Sequence, residues 1–181
     1  MPEITKIVIT GGPCAGKSTA MSWIQNFFGK QGIRVLFISE TATDLITGGI
    51  APWTCSKNVE YQEYHLQLQL LKEEIYHKAA SNLKDERILI VCDRGLMDNK
   101  AYMNEEEYRR VLDDYNLSKS KIMDRYDAVF HLVSAAKGAK EYYNLDNEAR
   151  TETIEEARRI EKDYRYSLRV CIKICVNDIY P

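Results

Sequence analysis

The sequence predicts an α/β fold with a mainly parallel sheet and helices on both faces. Three observations carry that prediction. Short apolar runs alternate with longer segments of helical character along all 181 residues. The first apolar run leads into a glycine-rich loop and then a helix, a strand–loop–helix order that suits a phosphate site. Acidic residues follow the second and third apolar runs, where ligands gather in open parallel sheets.

The elements follow in order. Ile4 to Ile9 reads as a strand, and Thr19 to Phe28 as a helix closed by Gly29-Lys30-Gln31-Gly32. Ile33 to Ser39 is almost wholly apolar, as a buried parallel strand should be. Thr41 to Ile46 reads as a short helix, stopped at Thr47-Gly48-Gly49, and Pro52 and Trp53 mark an irregular loop. Ser56 to Leu83 predicts a long helix with Ser56 as its N-cap and Leu66, Leu70, Leu71 and Ile75 at helical spacing. Arg87 to Cys92 is a third strand. Glu105 to Asp114 and Leu117 to Arg125 read as helices, and Ala128 to Val133 as a fourth strand. A polar segment over 135–147 precedes a charged helix from Thr151 to Arg165, and Arg169 to Val176 reads as a fifth strand.

The loop itself is Gly11-Gly12-Pro13-Cys14-Ala15-Gly16-Lys17-Ser18, followed by Thr19, and it fits G-x-x-x-x-G-K-[ST]. Chance predicts fewer than about 0.01 such matches in a chain of this length. Glycines let successive N–H groups turn inward as an anion nest, and the following helix adds its positive end. Lys17 has the reach for β- and γ-phosphates, and Ser18 offers a hydroxyl to Mg²⁺. An ordinary glycine turn has no need of a Lys-Ser pair at the helix start.

Asp93 ends the third strand, where an acid facing a phosphate loop serves as a Mg²⁺ partner. A loop or capping carboxylate is the plain alternative, and the phosphate loop favours the metal role. Arg94 suits phosphate by its planar fork, and a surface ion pair fits it about equally well. Glu40, at the mouth of the second strand, is placed to orient a hydroxyl, take its proton, or hold a sugar hydroxyl. Asp98 divides evenly between function and structure. Arg150, in Ala149-Arg150-Thr151-Glu152, is the first candidate for a cation brought to a transferring phosphoryl group by a lid over about 135–165. Arg158 and Arg159 lie among Glu155, Glu156 and Glu161, so pairing along the helix surface explains them better. Tyr142 and Tyr143 belong to twelve tyrosines, for which ordinary packing suffices.

The composition is 45% hydrophobic and 29% charged with a net charge of −2, which gives no reason to expect nucleic acid or an anionic membrane as a partner. No apolar run is long enough to span a bilayer. The first residues lead into a strand, unlike a secretory signal. Five cysteines without a C-x-x-C pair suit reduced structural thiols in the cytoplasm, with Cys14 the one thiol beside a helix N-terminus. The three histidines are scattered and lack metal-ligand spacing.

The phosphate loop, Glu40 before a short helix, Asp93-Arg94-Gly95-Leu96-Met97-Asp98 and Ala149-Arg150-Thr151-Glu152 occur in an order that resembles the AAA-type, nucleotide-kinase-like P-loop family. Bacterial nicotinamide riboside kinase domains and a domain preceding triphosphate tunnel metalloenzyme modules are among its relatives. The resemblance covers nearly the whole chain. It implies a single three-layer P-loop domain over 1–181 with a five-stranded sheet in the order 2-3-1-4-5. It further implies ATP·Mg²⁺ as phosphoryl donor, Mg²⁺ organised by Ser18 and Asp93, a catalytic or substrate-holding Glu40, and a lid around Arg150.

The expected function is an ATP-dependent transfer to a small acceptor, a nucleoside, nucleotide or related metabolite. The rival is a switch ATPase that binds and slowly hydrolyses ATP and acts through a protein partner. A GTPase is the weaker third reading, because no Asn-Lys-x-Asp sequence follows the fourth strand.

Overall fold

A computed structural model describes residues 1–12 and 15–132, and the backbone of 172–174. Within these residues the chain alternates strand and helix as expected. The strands are β1 (Glu3–Gly11), β2 (Arg34–Ile38), β3 (Arg87–Asp93), β4 (Ala128–Leu132) and β5 (Ile172–Ile174). The helices are α1 (Lys17–Gly29), α2 (Thr41–Thr47), α3 (Asn58–Ser81), α4 (Glu105–Asp114) and α5 (Lys119–Met123), with a 3₁₀ helix over Leu96–Tyr102. The sheet order is β2-β3-β1-β4-β5, and every adjacent pair is parallel. The order implied by the family resemblance is therefore the order observed.

Side-chain alternation explains the layers. Ile7 and Ile9 of β1 pack with Leu89, Val91 and Leu132 against Ala20 and Ile24 of α1. Val8 points the other way and joins Ile38, Ile88, Ile90 and Val129 beneath Ala80 of α3. A third cluster lies away from the sheet, where Val59 and Leu66 of α3 meet Leu96, Met97, Tyr108, Val111 and Ile122. This cluster fixes the 3₁₀ helix, and hence the chain leaving Asp93, against α3.

The helix ends follow local chemistry. Asn104 Oδ1 accepts from the Glu107 N–H at 2.9 Å, while Glu107 Oε2 accepts from the Asn104 N–H at 3.0 Å, a reciprocal cap at the expected start of α4. Helix α1 begins at Lys17, two residues before the expected Thr19, because Gly16 takes a left-handed φ of 77° and turns the loop directly into the helix. The N-cap of α3 is Lys57 instead of Ser56, with Glu60 accepting from the Lys57 N–H at 3.3 Å. Helix α5 starts later than the expected Leu117 because Ser118 caps it, accepting from the Lys121 N–H at 3.2 Å, and it ends at Met123 with Asp124 as C-cap.

The buried face of α3 also differs from expectation. Leu66 is buried, but Leu71 is 52% exposed and Ile75 is 53% exposed. The stripe turned inward is Val59, Gln62, Leu66, Gln69, Glu73 and Ala80. It keeps the 3-and-4 spacing of a helix face, yet half of it is polar, since its amides and carboxylate find partners inside.

The segment 135–165, the fourth strand's Val133 and the outer parts of the predicted fifth strand fall outside the described residues. So do Pro13 and Cys14 of the phosphate loop, and Tyr142, Tyr143, Arg150, Arg158 and Arg159.

Candidate functional site

The carboxyl ends of β1, β2 and β3 open at one edge, where Lys17, Glu40 and Arg94 follow the strands and Asp93 ends β3. β1 runs to Gly11, where φ is +148°. A Cβ at Gly11 would stand 2.3 Å from the Leu132 carbonyl oxygen of β4, so only glycine lets the loop leave the sheet here. Gly12, Ala15, Gly16, Lys17, Ser18 and Thr19 then pass from loop to helix, with Lys17 the first residue of α1 and Ser18 and Thr19 exposed. Burial lowers the Lys17 ammonium, and the Arg94 charge lowers it further. Glu40, Asp93 and Asp98 pull the other way, leaving it at about 8.

Glu40 lies between the end of β2 and the start of α2. Its Oε1 accepts from Arg94 Nε, and its Oε2 accepts from Thr43 Oγ1 at 2.7 Å. Burial works to raise the Glu40 carboxyl, but Arg94, Lys17 and these hydrogen bonds outweigh it and hold the group at about 2. Glu40 is therefore an ionised, weakly basic carboxylate at any physiological pH.

Arg94 is the junction of the site. Its φ is 71°, unusual for a residue with a side chain. Its backbone N–H donates to the Ile9 carbonyl at 3.0 Å, and its Nη1 donates to the Gly11 carbonyl at 3.1 Å. Between phosphate contact and ion pair, the structure places its Nε in an ion pair with Glu40, their side chains 12% and 24% exposed.

Asp93 sits at the end of β3 and is partly buried. Its Oδ1 is buried without a hydrogen-bond partner. Burial raises its carboxyl, and Lys17 is the main influence against this. Asp98 resolves toward structure. Its Oδ2 accepts from Thr10 Oγ1 at 2.8 Å and from the Gly95 N–H at 3.1 Å, so it ties the 3₁₀ helix to β1. Gly95 fits closely over Val8, whose methyls would lie 3.1 and 3.2 Å from an added Cβ.

Beside this mouth lies a group of residues that the sequence reading passed over. Tyr61 and His65 of α3 and Asn99 of the 3₁₀ helix are 3%, 7% and 1% exposed. The Tyr61 hydroxyl is buried without a hydrogen-bond partner, and the Asn99 side chain acts as a hydrogen-bond partner of the His65 imidazole. The Asn99 amide donates to the Gln62 carbonyl oxygen at 3.1 Å and to Gln62 Oε1 at 3.3 Å. Burial, then the Arg94 charge, holds the His65 imidazole at about 4, so it is neutral. The Glu40 charge acts on both the His65 imidazole and the Tyr61 hydroxyl.

Cys92 is buried in β3 and lies beneath the sheet edge, where burial pushes its thiol up, in keeping with an inert structural cysteine. Among the described residues, no cluster of three or more His, Cys, Asp or Glu could hold a metal by itself. No helix among the described residues is long and apolar enough to cross a membrane.

The chain belongs to the AAA domain family, whose profile matches residues 6–177. Comparison with curated proteins gives no match. Among solved structures, the chain is similar to deoxyadenosine kinase from M. mycoides with the products dCMP and a flexible dCDP bound. The identity is 20% and the TM-score 0.61 over 98% of this chain and 92% of that one. It is also similar to the same enzyme with bound dATP, at 19% identity and a TM-score of 0.59 over 94% and 90% of the two chains. The shared feature is the P-loop nucleoside-kinase fold.

Proposed function

We propose that this protein is an ATP-dependent kinase that moves the γ-phosphoryl group to a hydroxyl of a small, nucleoside-like acceptor. The observation that carries the reading is Glu40. It is held ionised by Arg94 at the mouth that also contains Lys17, with the buried polar side chains of Tyr61, His65 and Asn99 alongside. A buried polar group without a partner, such as the Tyr61 hydroxyl, is costly and is met when a polar ligand reaches it.

In this reading the loop Gly11 to Thr19 cradles the triphosphate, and Lys17 meets its terminal oxygens. A hydroxyl of the acceptor donates to Glu40. A carboxylate at about 2 is a poor base, so Glu40 aims the hydroxyl and receives its proton late, as suits a loose phosphoryl transition state. Arg94 keeps Glu40 charged and joins it to the base of the phosphate loop. Arg150 is the proposed cation that closes on the transferring group, with 135–165 as the lid of a single kinase-like domain over 1–181.

The site suits Mg²⁺. This ion takes one or two protein oxygens and completes its shell with phosphate and water, and the Asp93 Oδ1 without a partner and the Ser18 hydroxyl on the first turn of α1 are oxygens of that kind. Ser18 and Asp93 would hold the ion, which would supply charge neutralisation for the phosphates. The proposal extends to kinship with bacterial nicotinamide riboside kinase domains and the domain preceding triphosphate tunnel modules. It also extends to a cytoplasmic location and to no nucleic acid or membrane partner.

Acceptor-stimulated turnover tests the reading. ADP release should be slow with ATP·Mg²⁺ alone and rise at least about tenfold with a nucleoside or nicotinamide riboside. Slow release that no nucleoside, nucleotide or nicotinamide riboside accelerates would favour the switch ATPase.

A further inference from the structure

Gln69 lies in the middle of α3 and is 1% exposed. Its Oε1 accepts from Thr41 Oγ1. Its Nε2 donates to Glu73 Oε1 at 3.1 Å and reaches the Arg94 carbonyl oxygen at 3.5 Å. Thr41 is the first residue of α2 and follows Glu40 directly. One buried amide thus grips the backbone of Arg94 and the residue beside Glu40, which are the two halves of the ion pair at the mouth.

The direction of that amide is set from below. Glu73 is fully buried, and its two carboxyl oxygens face donors on every side. Its Oε2 accepts from Lys6 Nζ at 3.0 Å and from Arg125 Nε at 3.1 Å, and its Oε1 accepts from the Tyr126 hydroxyl at 2.7 Å. An acceptor at that place requires the NH₂ of Gln69 to face it, which turns Oε1 toward Thr41 and lets the amide donate to Arg94. The Tyr126 oxygen also accepts from the Leu96 N–H at 3.1 Å, so the segment leaving Arg94 is held by the same network. This matters because Arg94 sits at φ 71°, a conformation that persists only where its surroundings fix it.

We propose that Gln69 is a positioning residue for phosphoryl transfer, fixing Glu40 and Arg94 to each other from beneath, with Glu73 setting the direction of its amide. The catalytic half of this statement rests on the kinase reading above.

Gln69→Met tests it, since methionine keeps the length and the packing and removes donor and acceptor together. Two readouts separate position from activity. The first is hydrogen exchange of the Arg94 Nε–H followed by ¹⁵N NMR, which needs no substrate. The second is kcat for the acceptor set against ATP·Mg²⁺ affinity. The expected result is Arg94 Nε–H exchange at least about tenfold faster and kcat at least about tenfold lower, with ATP·Mg²⁺ affinity within about twofold. A lower melting temperature with unchanged exchange and unchanged kcat would overturn the proposal and make Gln69 a packing residue. If the unaltered protein transfers no phosphoryl group to any acceptor, the kinase reading fails and the exchange readout alone decides the positioning claim. Should Gln69→Met not fold, Thr41→Val removes one of the contacts. It should move both readouts in the same direction by about threefold, and an absence of both changes would overturn the proposal.

Discussion

Arg94 donates from Nε to Glu40 and from Nη1 to the Gly11 carbonyl, so one guanidinium joins the carboxyl ends of β1, β2 and β3. Phosphate loop, acid and sheet edge thereby share one side chain.

The Glu40 carboxyl titrates near 4.5 when unfolded and at about 2 when folded, because Arg94 and Lys17 outweigh the burial that opposes them. A depressed folded value contributes stability that is complete above about 4.5 and lost as pH falls toward 2. Glu40→Gln should remove about 2–3 kcal/mol of pH-dependent stability across that window. Urea denaturation of both proteins between pH 2 and 6 measures it, and parallel curves would count against the ion pair's strength.

Glycine substitutions should rank by what a Cβ meets. At Gly11 it would stand 2.3 Å from a backbone oxygen of the paired strand, at φ +148°. Gly11→Ala should cost more than about 2 kcal/mol, since the β1–β4 ladder itself must shift. At Gly95 the nearest atoms are Val8 methyls at 3.1 and 3.2 Å, which can move slightly, so Gly95→Ala should cost about 1 kcal/mol. Chemical denaturation midpoints give the order, and a reversed order would be inconsistent with these contacts.

Lys17 should be a residue the empty protein does better without. Burial and the Arg94 charge lower its ammonium to about 8, a sign that the charged form is disfavoured in place. Lys17→Met should raise the melting temperature and weaken ATP binding by about 100-fold or more. In the unaltered protein, ATP affinity should decline as pH rises through about 8, where free Lys17 loses its proton. Calorimetry at pH 7 and 9 reads both effects, and an ATP affinity independent of pH and of Lys17 would exclude the assigned role.

Glu73 should be the largest single polar contributor beneath the sheet. It is fully buried and balances Lys6, whose side chain is 11% exposed. Glu73→Ala should destabilise by about 3–5 kcal/mol, because it strands a buried cation. Thermal and urea unfolding check this, and a loss below about 1 kcal/mol would mean that water replaces the carboxylate.

The sheet was legible because β1 and β3 are apolar runs that end where glycines or acids begin. The phosphate loop was legible because its spacing is a chemical requirement. Glu40 and Asp93 were legible as acids at strand ends, but the partner of Glu40 was not. Arg94 follows β3, and only the sheet order brings the ends of β2, β3 and β1 together. The misreading of α3 has a physical cause. Leu71 and Ile75 look like core and lie outside, while Gln69 and Glu73 look like surface and lie inside. Periodicity weighs hydrophobicity alone, and a buried amide or carboxylate with every partner supplied is invisible to it. Tyr61, His65 and Asn99 escaped because nothing in their spacing marks a polar residue as buried.

Incubating the protein with γ-labelled ATP and Mg²⁺ and a pool of nucleosides, nicotinamide riboside and nucleoside monophosphates reads phosphoryl transfer itself. Glu40→Gln and Lys17→Ala proteins would run alongside. The account predicts a labelled phosphorylated product that falls by about 100-fold in Glu40→Gln and vanishes in Lys17→Ala. Labelled inorganic phosphate alone, released at one rate with or without every acceptor and unchanged in Glu40→Gln, would contradict it.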